Sequence, residues 1–344
     1  MNVTMNDIAR AAGTSLATVG RVIHSNGYVS REVRARVEAA IAELGYVPNQ
    51  SARILKSSRS GIIGSLVRQN DNGLYYRIND SIIRAVRNAG YELLTMEAHH
   101  DMQNEGELID NFIGLHVDGL VITSNTGITP EMFEKLKKAG IPVVAVERGY
   151  FEQGIDSLLV RDFEACQDAV TRVIRAGHKR VALVASQLLA DVEKQRYEGY
   201  CAAIKAAGLA ADERLVRIMP GYDTQFGRIA GEELFSLPEP PTAVFATADS
   251  LAAGVLQAAY AHRLRVPDEL SLVGYDDVLS QSLSPAINSV GLFVETIGTN
   301  VMELLALRQA DPNRPAEIRL IDTVYADRGS VAVRSEKKEI VIRF

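Results

Sequence analysis

The sequence predicts a small all-α head joined to a larger α/β body built from two parallel-sheet subdomains. Three observations predict it. In the first 45 residues, apolar positions recur at helical spacing and are punctuated by cap residues and glycines. From Ile62 onward, short β-branched runs alternate with amphipathic helical stretches, the pattern of parallel sheets covered on both faces. Charge divides the chain in the same place. Residues 1–60 carry eight basic and four acidic side chains, a balance of +4, whereas the rest of the 344-residue chain stands at −10.

A basic head on an acidic body points to a nucleic-acid module joined to something else. With 47% hydrophobic and 23% charged residues, the composition excludes long disorder and a collagen-like repeat. The apolar runs are strand-sized and fall short of the ~18 residues a membrane span needs. Met1–Arg10 has no apolar signal core, so a cytoplasmic protein is expected. Cys166 and Cys201 have no CxxC spacing and are expected to be reduced thiols. There is no GxSxG, HExxH or P-loop motif, and the adjacent His99 and His100 have poor metal spacing on a helix or a strand. No catalytic residue, metal or cofactor is therefore expected.

In the head, Thr4 is a good N-cap, with Asp7 placed to complement the first turn, and Ile8, Ala11 and Ala12 keep helical spacing up to Gly13. Ser15 caps a second helix, Leu16 to about Ile23, with Val19, Val22 and Ile23 facing inward. Helix, tight glycine turn and helix make a helix-turn-helix pattern. Ser30 caps a third helix, with Val33, Val37, Ala40, Ile41 and Leu44 on one face and Gly45 at its end. Pro48 and Asn49 then start a short basic stretch, Gln50 to about Ser57. It is too short to be helical alone and suits a segment ordered by DNA.

In the body, strands are predicted at 62–67, 91–96, 120–123, 142–146 and 158–160, then at 181–185, 215–218, 243–246 and 270–274. Helices fall between them, at 163–176, 192–207, 224–236 and 251–263 in the second half. So many units exceed one sheet, which predicts two subdomains with a cleft. Ligands of open α/β sheets sit beyond the carboxyl ends of the strands. The strand-end residues are Tyr75, Tyr76, Glu147, Arg148, Asp162, Arg196, Tyr222, Asp249, Asp276 and Asp277. Asp249 and Asp276 also read as helix caps or turn formers.

The run from Thr4 to Leu66 resembles the DNA-binding head of the LacI/GalR (lactose-repressor/galactose-repressor) transcription regulators. It carries T-x-x-D-I-A-x-x-A-G-x-S-x-x-T-V-x-R-V and then G-Y-x-P-N-x-x-A-R-x-L. More weakly, the likeness extends to about Ala332 through GHKRVALV, the R-x-x-G-Y run at 196–200 and SLVGYDD. It implies a type I periplasmic-binding-protein fold for the body. It also implies a repressor that reads palindromic operator DNA as a homodimer, under a small-molecule effector, a sugar or sugar acid. The implied domains are a helix-turn-helix head at 1–47, a hinge at 48–60 and an effector-binding domain at 61–344. Within that domain one subdomain spans about 61–162 and 292–322, the other about 163–291 and 323–344.

The resemblance also implies residue roles. Leu16, Ala17 and Arg21 would read base edges, Arg21 by a two-pronged bond to guanine. Thr4, Ser15, Thr18 and Asn26 would hold the backbone. Ala52, Leu55 and Lys56 belong to the hinge, with Leu55 as the minor-groove wedge. Arg196 and Asp276 would be the main polar ligand contacts, with Tyr75, Tyr76, Arg148, Asp162, Tyr222 and Asp249 around them. Arg148 together with Arg196 would suit an anionic sugar. Several positions depart from the family. Gly20 replaces a serine that touches the DNA backbone, Phe163 an asparagine, and Ala248 an asparagine that contacts sugar hydroxyls. Ala190 and Val192 stand where the purine-binding branch has Arg and Thr, which argues against a purine corepressor. Glu336–Phe344 has no leucine heptads, so a dimer is expected rather than a tetramer. An exported solute-binding protein would need a signal segment and no basic head.

Overall fold

The computed structural model describes residues 3–23, 26–46, 59–68, 73–98, 104–123, 127–188 and 191–334. The hinge residues Ala52, Leu55 and Lys56, the His99–His100 pair, Ala190 and the tail Glu336–Phe344 lie outside them. The chain separates into two units, Met1–Ser60 and Gly61–Phe344.

The head has three helices, α1 (Met5–Ala11), α2 (Leu16–Ile23) and α3 (Arg31–Leu44). Thr4 and Asp7 form a reciprocal capping box: Asp7 N donates to Thr4 Oγ1 and Thr4 N donates to Asp7 Oδ2. Ser30 Oγ accepts from Val33 N, and Gly45 closes α3 in the left-handed conformation at φ 62°. Ile8, Val19 and Val37, one from each helix, are fully buried together with Ala12, Val22 and Ala40. This small core leaves the outward faces of all three helices free.

The body holds two six-stranded sheets. In chain order the elements are β1 (Ile62–Arg68), α4 (Gly73–Asn88), β2 (Glu92–Ala98), α5 (Glu105–Gly114), β3 (Gly119–Thr123), α6 (Pro130–Lys138), β4 (Val143–Val146), β5 (Asp156–Val160) and α7 (Asp162–Arg175). Then come β6 (Val181–Ser186), α8 (Asp191–Ala206), β7 (Val216–Met219), α9 (Thr224–Phe235), β8 (Ala243–Ala246), α10 (Asp249–Ala261), β9 (Ser271–Asp276), β10 (Asn288–Leu292), α11 (Ile297–Ala310), β11 (Ile318–Ile321) and β12 (Thr323–Ala326). The first sheet has the order β11-β5-β4-β3-β1-β2 and the second β12-β10-β9-β8-β6-β7. Every pairing is parallel except β10 with β12. The strands β3, β4, β6 and β8 are buried along their whole length, as sheets covered on both faces require.

The chain crosses between the sheets three times: between β5 and α7, between β10 and α11, and at Asp322 between β11 and β12. The last two crossings are tied together, since Phe293 N donates to Asp322 O at 3.1 Å. Two helices of the second subdomain approach backbone to backbone. A Cβ on Gly227 would lie 2.0 Å from Leu251 O, and one on Gly254 the same distance from Thr224 O. Only glycine at both positions permits this α9–α10 contact.

The alternating pattern locates the elements through β9 to within two residues. The spacing places a strand end at 274, whereas β9 continues to Asp276. Beyond it, β10, α11, β11 and β12 have no counterpart among the sequence-predicted elements. The strands β11 and β12 are four residues each and only partly covered, so neither shows a buried run.

Candidate functional site

On the head, α2 divides its side chains cleanly. Val19 and Val22 are buried, whereas Leu16, Ala17 and Arg21 are exposed, Leu16 by 48%. Gly27, at φ 86°, passes beside the Arg21 stem; a Cβ there would lie 3.6 Å from Arg21 Cδ. Ser15 Oγ accepts from Thr18 N at 3.2 Å and lies 2.9 Å from Thr18 Oγ1, so both hydroxyls sit at the N-terminus of α2. That end of a helix favours anions such as phosphate. Asn26 is exposed, as is Thr4, whose hydroxyl also donates to Asp7 Oδ2 at 2.6 Å. A Cβ on Gly20 would have only Met5 Cε near it, at 3.7 Å, so no steric reason demands glycine there.

In the body, the carboxyl ends of seven strands converge on one buried polar cluster. Arg196, on the first turns of α8, is 5% exposed. Its Nε donates to Asp162 Oδ1 at 2.8 Å, and its Nη1 donates to Thr247 O at 2.8 Å and Glu193 Oε1 at 3.4 Å. Asp276 Oδ1 stands 3.8 Å from Nη1. The guanidinium carbon lies 4.0 Å from the centre of the Tyr275 ring, and Tyr275 OH donates to Asp162 Oδ1 at 2.8 Å. Glu193 accepts from Tyr222 OH at 3.0 Å and Thr247 Oγ1 at 2.9 Å, and its Oε2 also receives Ser186 N. Glu147, directly after β4, is buried and hydrogen-bonded to Tyr75. The backbones of Glu147 (φ 67°) and Asp276 (φ 90°) are left-handed, a conformation that non-glycine residues hold only where the surroundings enforce it.

Four carboxyl groups thus share one guanidinium. Burial pushes the Glu147 carboxyl up to about 7; Asp162 and Asp276 add to this, while Arg196 and the Tyr75 bond oppose it. Burial likewise pushes Glu193 up to about 7 against Arg196, Thr247 and Tyr222. Asp162 Oδ2 is buried and has no hydrogen-bond partner among the described residues. Among those residues no group of three His, Cys, Asp or Glu is arranged to hold a metal ion.

The structure therefore gathers Tyr75, Asp162, Arg196, Tyr222 and Asp276 from the sequence-predicted set. Three expectations need correction. Tyr76 is 73% exposed and stays out of the cluster. Asp249 is a loop anchor: its Oδ2 accepts from the backbone of Val278, Leu279 and Ser280, and its Oδ1 from Ser289 Oγ, which saturates the carboxylate. Arg148 packs on Tyr150 rather than bonding to the cluster. Its guanidinium carbon sits 5.5 Å from the Tyr150 ring centre, beside a depression of about 500 Å³ shared with Phe133, Phe151 and Ile318. Nothing in this arrangement of the described residues supports a paired-arginine grip on an anionic sugar. It is Glu147, the neighbouring strand-end residue, that enters the cluster. Strand-end position does not reveal Glu193, whereas Thr247, the first residue after β8, is a strand-end residue outside the sequence-predicted set. Glu193 lies three residues before Arg196 on one helix, hence on the same face, and that spacing is the available signal.

A sequence profile described as "Bacterial regulatory proteins, lacI family" matches residues 4–49. A second, "Periplasmic binding proteins and sugar binding domain of LacI family", matches residues 60–305. The probable HTH-type transcriptional repressor ExuR of Bacillus subtilis (strain 168) is 30% identical over 332 residues, covering 96% of this chain and 98% of its own. The ribose operon repressor of Escherichia coli (strain K12) is 30% identical over 328 residues, 95% of this chain and 99% of its own. Among solved structures, a transcriptional regulator CelR–cellobiose complex is 28% identical and superimposes with a TM-score of 0.70, covering 96% of this chain and all of that one. A lac repressor dimer bound to operator and the anti-inducer ONPF, 23% identical with the same coverage, gives a TM-score of 0.83 and shares the fold.

Proposed function

Because this chain belongs to the lacI family of bacterial regulatory proteins, we propose that it is a sequence-specific DNA-binding transcriptional repressor. It acts in the cytoplasm as a dimer on a palindromic operator and is controlled by a small-molecule effector of sugar chemistry in the cleft of the body. The observation that carries the DNA half is the set Leu16, Ala17 and Arg21, exposed on α2 while Val19 and Val22 hold the same helix in the core. Arg21 supplies the hydrogen bonds that discriminate bases, and Leu16 and Ala17 supply apolar contact such as to a thymine methyl. Thr4, Ser15, Thr18 and Asn26 position the head on phosphates. Ala52, Leu55 and Lys56 belong to the hinge, residues 48–60, between the head (1–47) and the body (61–344).

The cluster around Arg196 supports the effector half, because it stands at the strand ends where open α/β sheets take ligands. Tyr75 and Glu147 come from the first subdomain and Glu193, Arg196, Tyr222 and Asp276 from the second, so a ligand between them touches both. An effector then acts by its differential affinity for two subdomain arrangements, with the three crossings as the joints. Relatives described as a ribose operon repressor and as a regulator bound to cellobiose support sugar chemistry.

Selection of DNA sites from a randomised palindromic library, with and without pooled sugars, tests both halves. Enrichment of one palindrome, with its retention altered by one pool, is the expected result. No enriched site under any condition would sink the repressor reading.

A further inference from the structure

We propose that Glu193 is a specificity-determining residue that closes the Arg196 fork, so that the cleft takes an uncharged polyhydroxylated effector and refuses the matching sugar acid. This rests on the effector reading above and narrows it.

Arginine grips a carboxylate strongly only through two adjacent N–H groups, either Nε with Nη2 or Nη1 with Nη2. In this cleft Nε is spent on Asp162, and the two protons of Nη1 are spent on Thr247 O and Glu193 Oε1. Each edge of the guanidinium has therefore lost one prong. Only Nη2 carries no hydrogen bond to a described residue; its two N–H groups point to different edges of the guanidinium, so they suit separate hydroxyl oxygens rather than the two oxygens of one carboxylate.

The surroundings act in the same direction. Glu147, Asp162, Glu193 and Asp276 are all buried, and Arg196 is the one cation among them. A ligand carboxylate would add a fifth acidic group to a site whose burial already pushes Glu147 and Glu193 up to about 7, and it would meet the same resistance to negative charge. The site instead asks for donors. Asp162 Oδ2 is buried without a hydrogen-bond partner, and a sugar hydroxyl satisfies it where a carboxylate cannot.

Glu193 is the hub of this arrangement. It receives the Tyr222 hydroxyl, the Thr247 hydroxyl and the Ser186 amide besides Arg196. It thereby fixes the tyrosine wall and the strand end beside Ala248, where the resemblance lacks its asparagine. Removing the Glu193 charge loosens its hold on Nη1, because an amide oxygen accepts more weakly than a carboxylate, and lowers the negative charge together. Shortening the side chain keeps the charge and disturbs only the geometry.

The test measures binding of matched probes to the full chain by thermal shift and calorimetry: glucose with glucuronate, galactose with galacturonate, and ribose with ribonate. The neutral member of at least one pair is expected to bind, with its acid at least tenfold weaker. Glu193→Gln is expected to narrow that ratio at least threefold. Glu193→Asp is expected to keep it, even where both affinities fall. An acid that binds the unaltered chain as tightly as its neutral partner overturns the inference and leaves the effector reading standing. So does a ratio that Glu193→Gln leaves unchanged. Silence from all three pairs strikes the sugar reading itself, and this inference falls with it.

Discussion

The head and the cleft hold their functional side chains in opposite ways. On α2 the candidate reading residues are those that the fold does not use: Leu16, Ala17 and Arg21 face solvent while Val19 and Val22 make the core. In the cleft the candidate residues are themselves part of the interior. Arg196, Asp162, Glu193 and Asp276 are all at least 95% buried and bonded to or packed against one another. The difference teaches that specificity on the head can change one residue at a time, whereas in the cleft each change redistributes the partners of several groups.

That contrast can be broken at its strongest point first. Arg196→Met leaves Asp162, Glu193 and Asp276 buried without their shared cation. It is expected to cost the body about 3–5 kcal/mol in denaturant unfolding. A loss below ~1 kcal/mol would mean that the cluster is as separable from the fold as the face of α2. The next effect is a pH dependence confined to the body. Glu147 and Glu193 are raised in the folded state from an ordinary value of 4.5 to about 7. The folded protein therefore holds their protons more tightly than the unfolded chain. Their contribution is fully present below about pH 4.5 and is lost as pH rises through about 7. The thermal midpoint of the body is expected to be higher near pH 5 than near pH 7.5, and Glu147→Gln should flatten the slope. An unchanged slope in that variant would remove Glu147 from the coupled set.

On the head, Arg21→Ala is expected to weaken operator binding by about 1–3 kcal/mol and to relax preference at one base pair. Unfolding should stay within ~0.5 kcal/mol of the parent. A large stability loss would show that the reading face is not independent of the core after all. The smallest effect is expected from Gly20→Ala. The added methyl meets only Met5 Cε at 3.7 Å, so the helix should gain up to about 1 kcal/mol. A destabilised head would mean that glycine serves the packing of α1 on α2.

Legibility divides along the same line. The Thr4 cap with its Asp7 partner in the first turn, the Ser30 cap and the Gly45 stop are local events, set by residues close in sequence, and the sequence alone places them; that Asp7 also bonds back to the Thr4 backbone comes from the structure. The alternation of strands and helices is legible for the same reason as far as Asp276. The remainder of the body is not, because β11 and β12 are short strands recruited by sheets whose other members lie far away in sequence. In the cleft, strand-end position puts forward Tyr75, Asp162, Arg196, Tyr222 and Asp276 as candidates, and the structure brings these five together. It could not tell Glu147 from Arg148, since successive residues after a strand leave in opposite directions and only the packed structure shows which enters. Nor could it show that the loop at 278–280 would occupy the Asp249 carboxylate.

The triple crossing of the body has a consequence for how the chain is made. Neither sheet is a continuous stretch of sequence; each receives its final edge strand, β11 or β12, only from residues 318–326. As the polypeptide leaves the ribosome, the head can assemble once its first 46 residues have emerged. Both lobes of the body must wait, each short of a strand, until nearly the whole chain is synthesised. During that interval β5 and β10 present open edges, the condition under which nascent chains associate wrongly. Polypeptides stalled before residue 317 are thus expected to carry a folded head on two unfinished lobes and to need chaperones, while release a few residues later completes both lobes together.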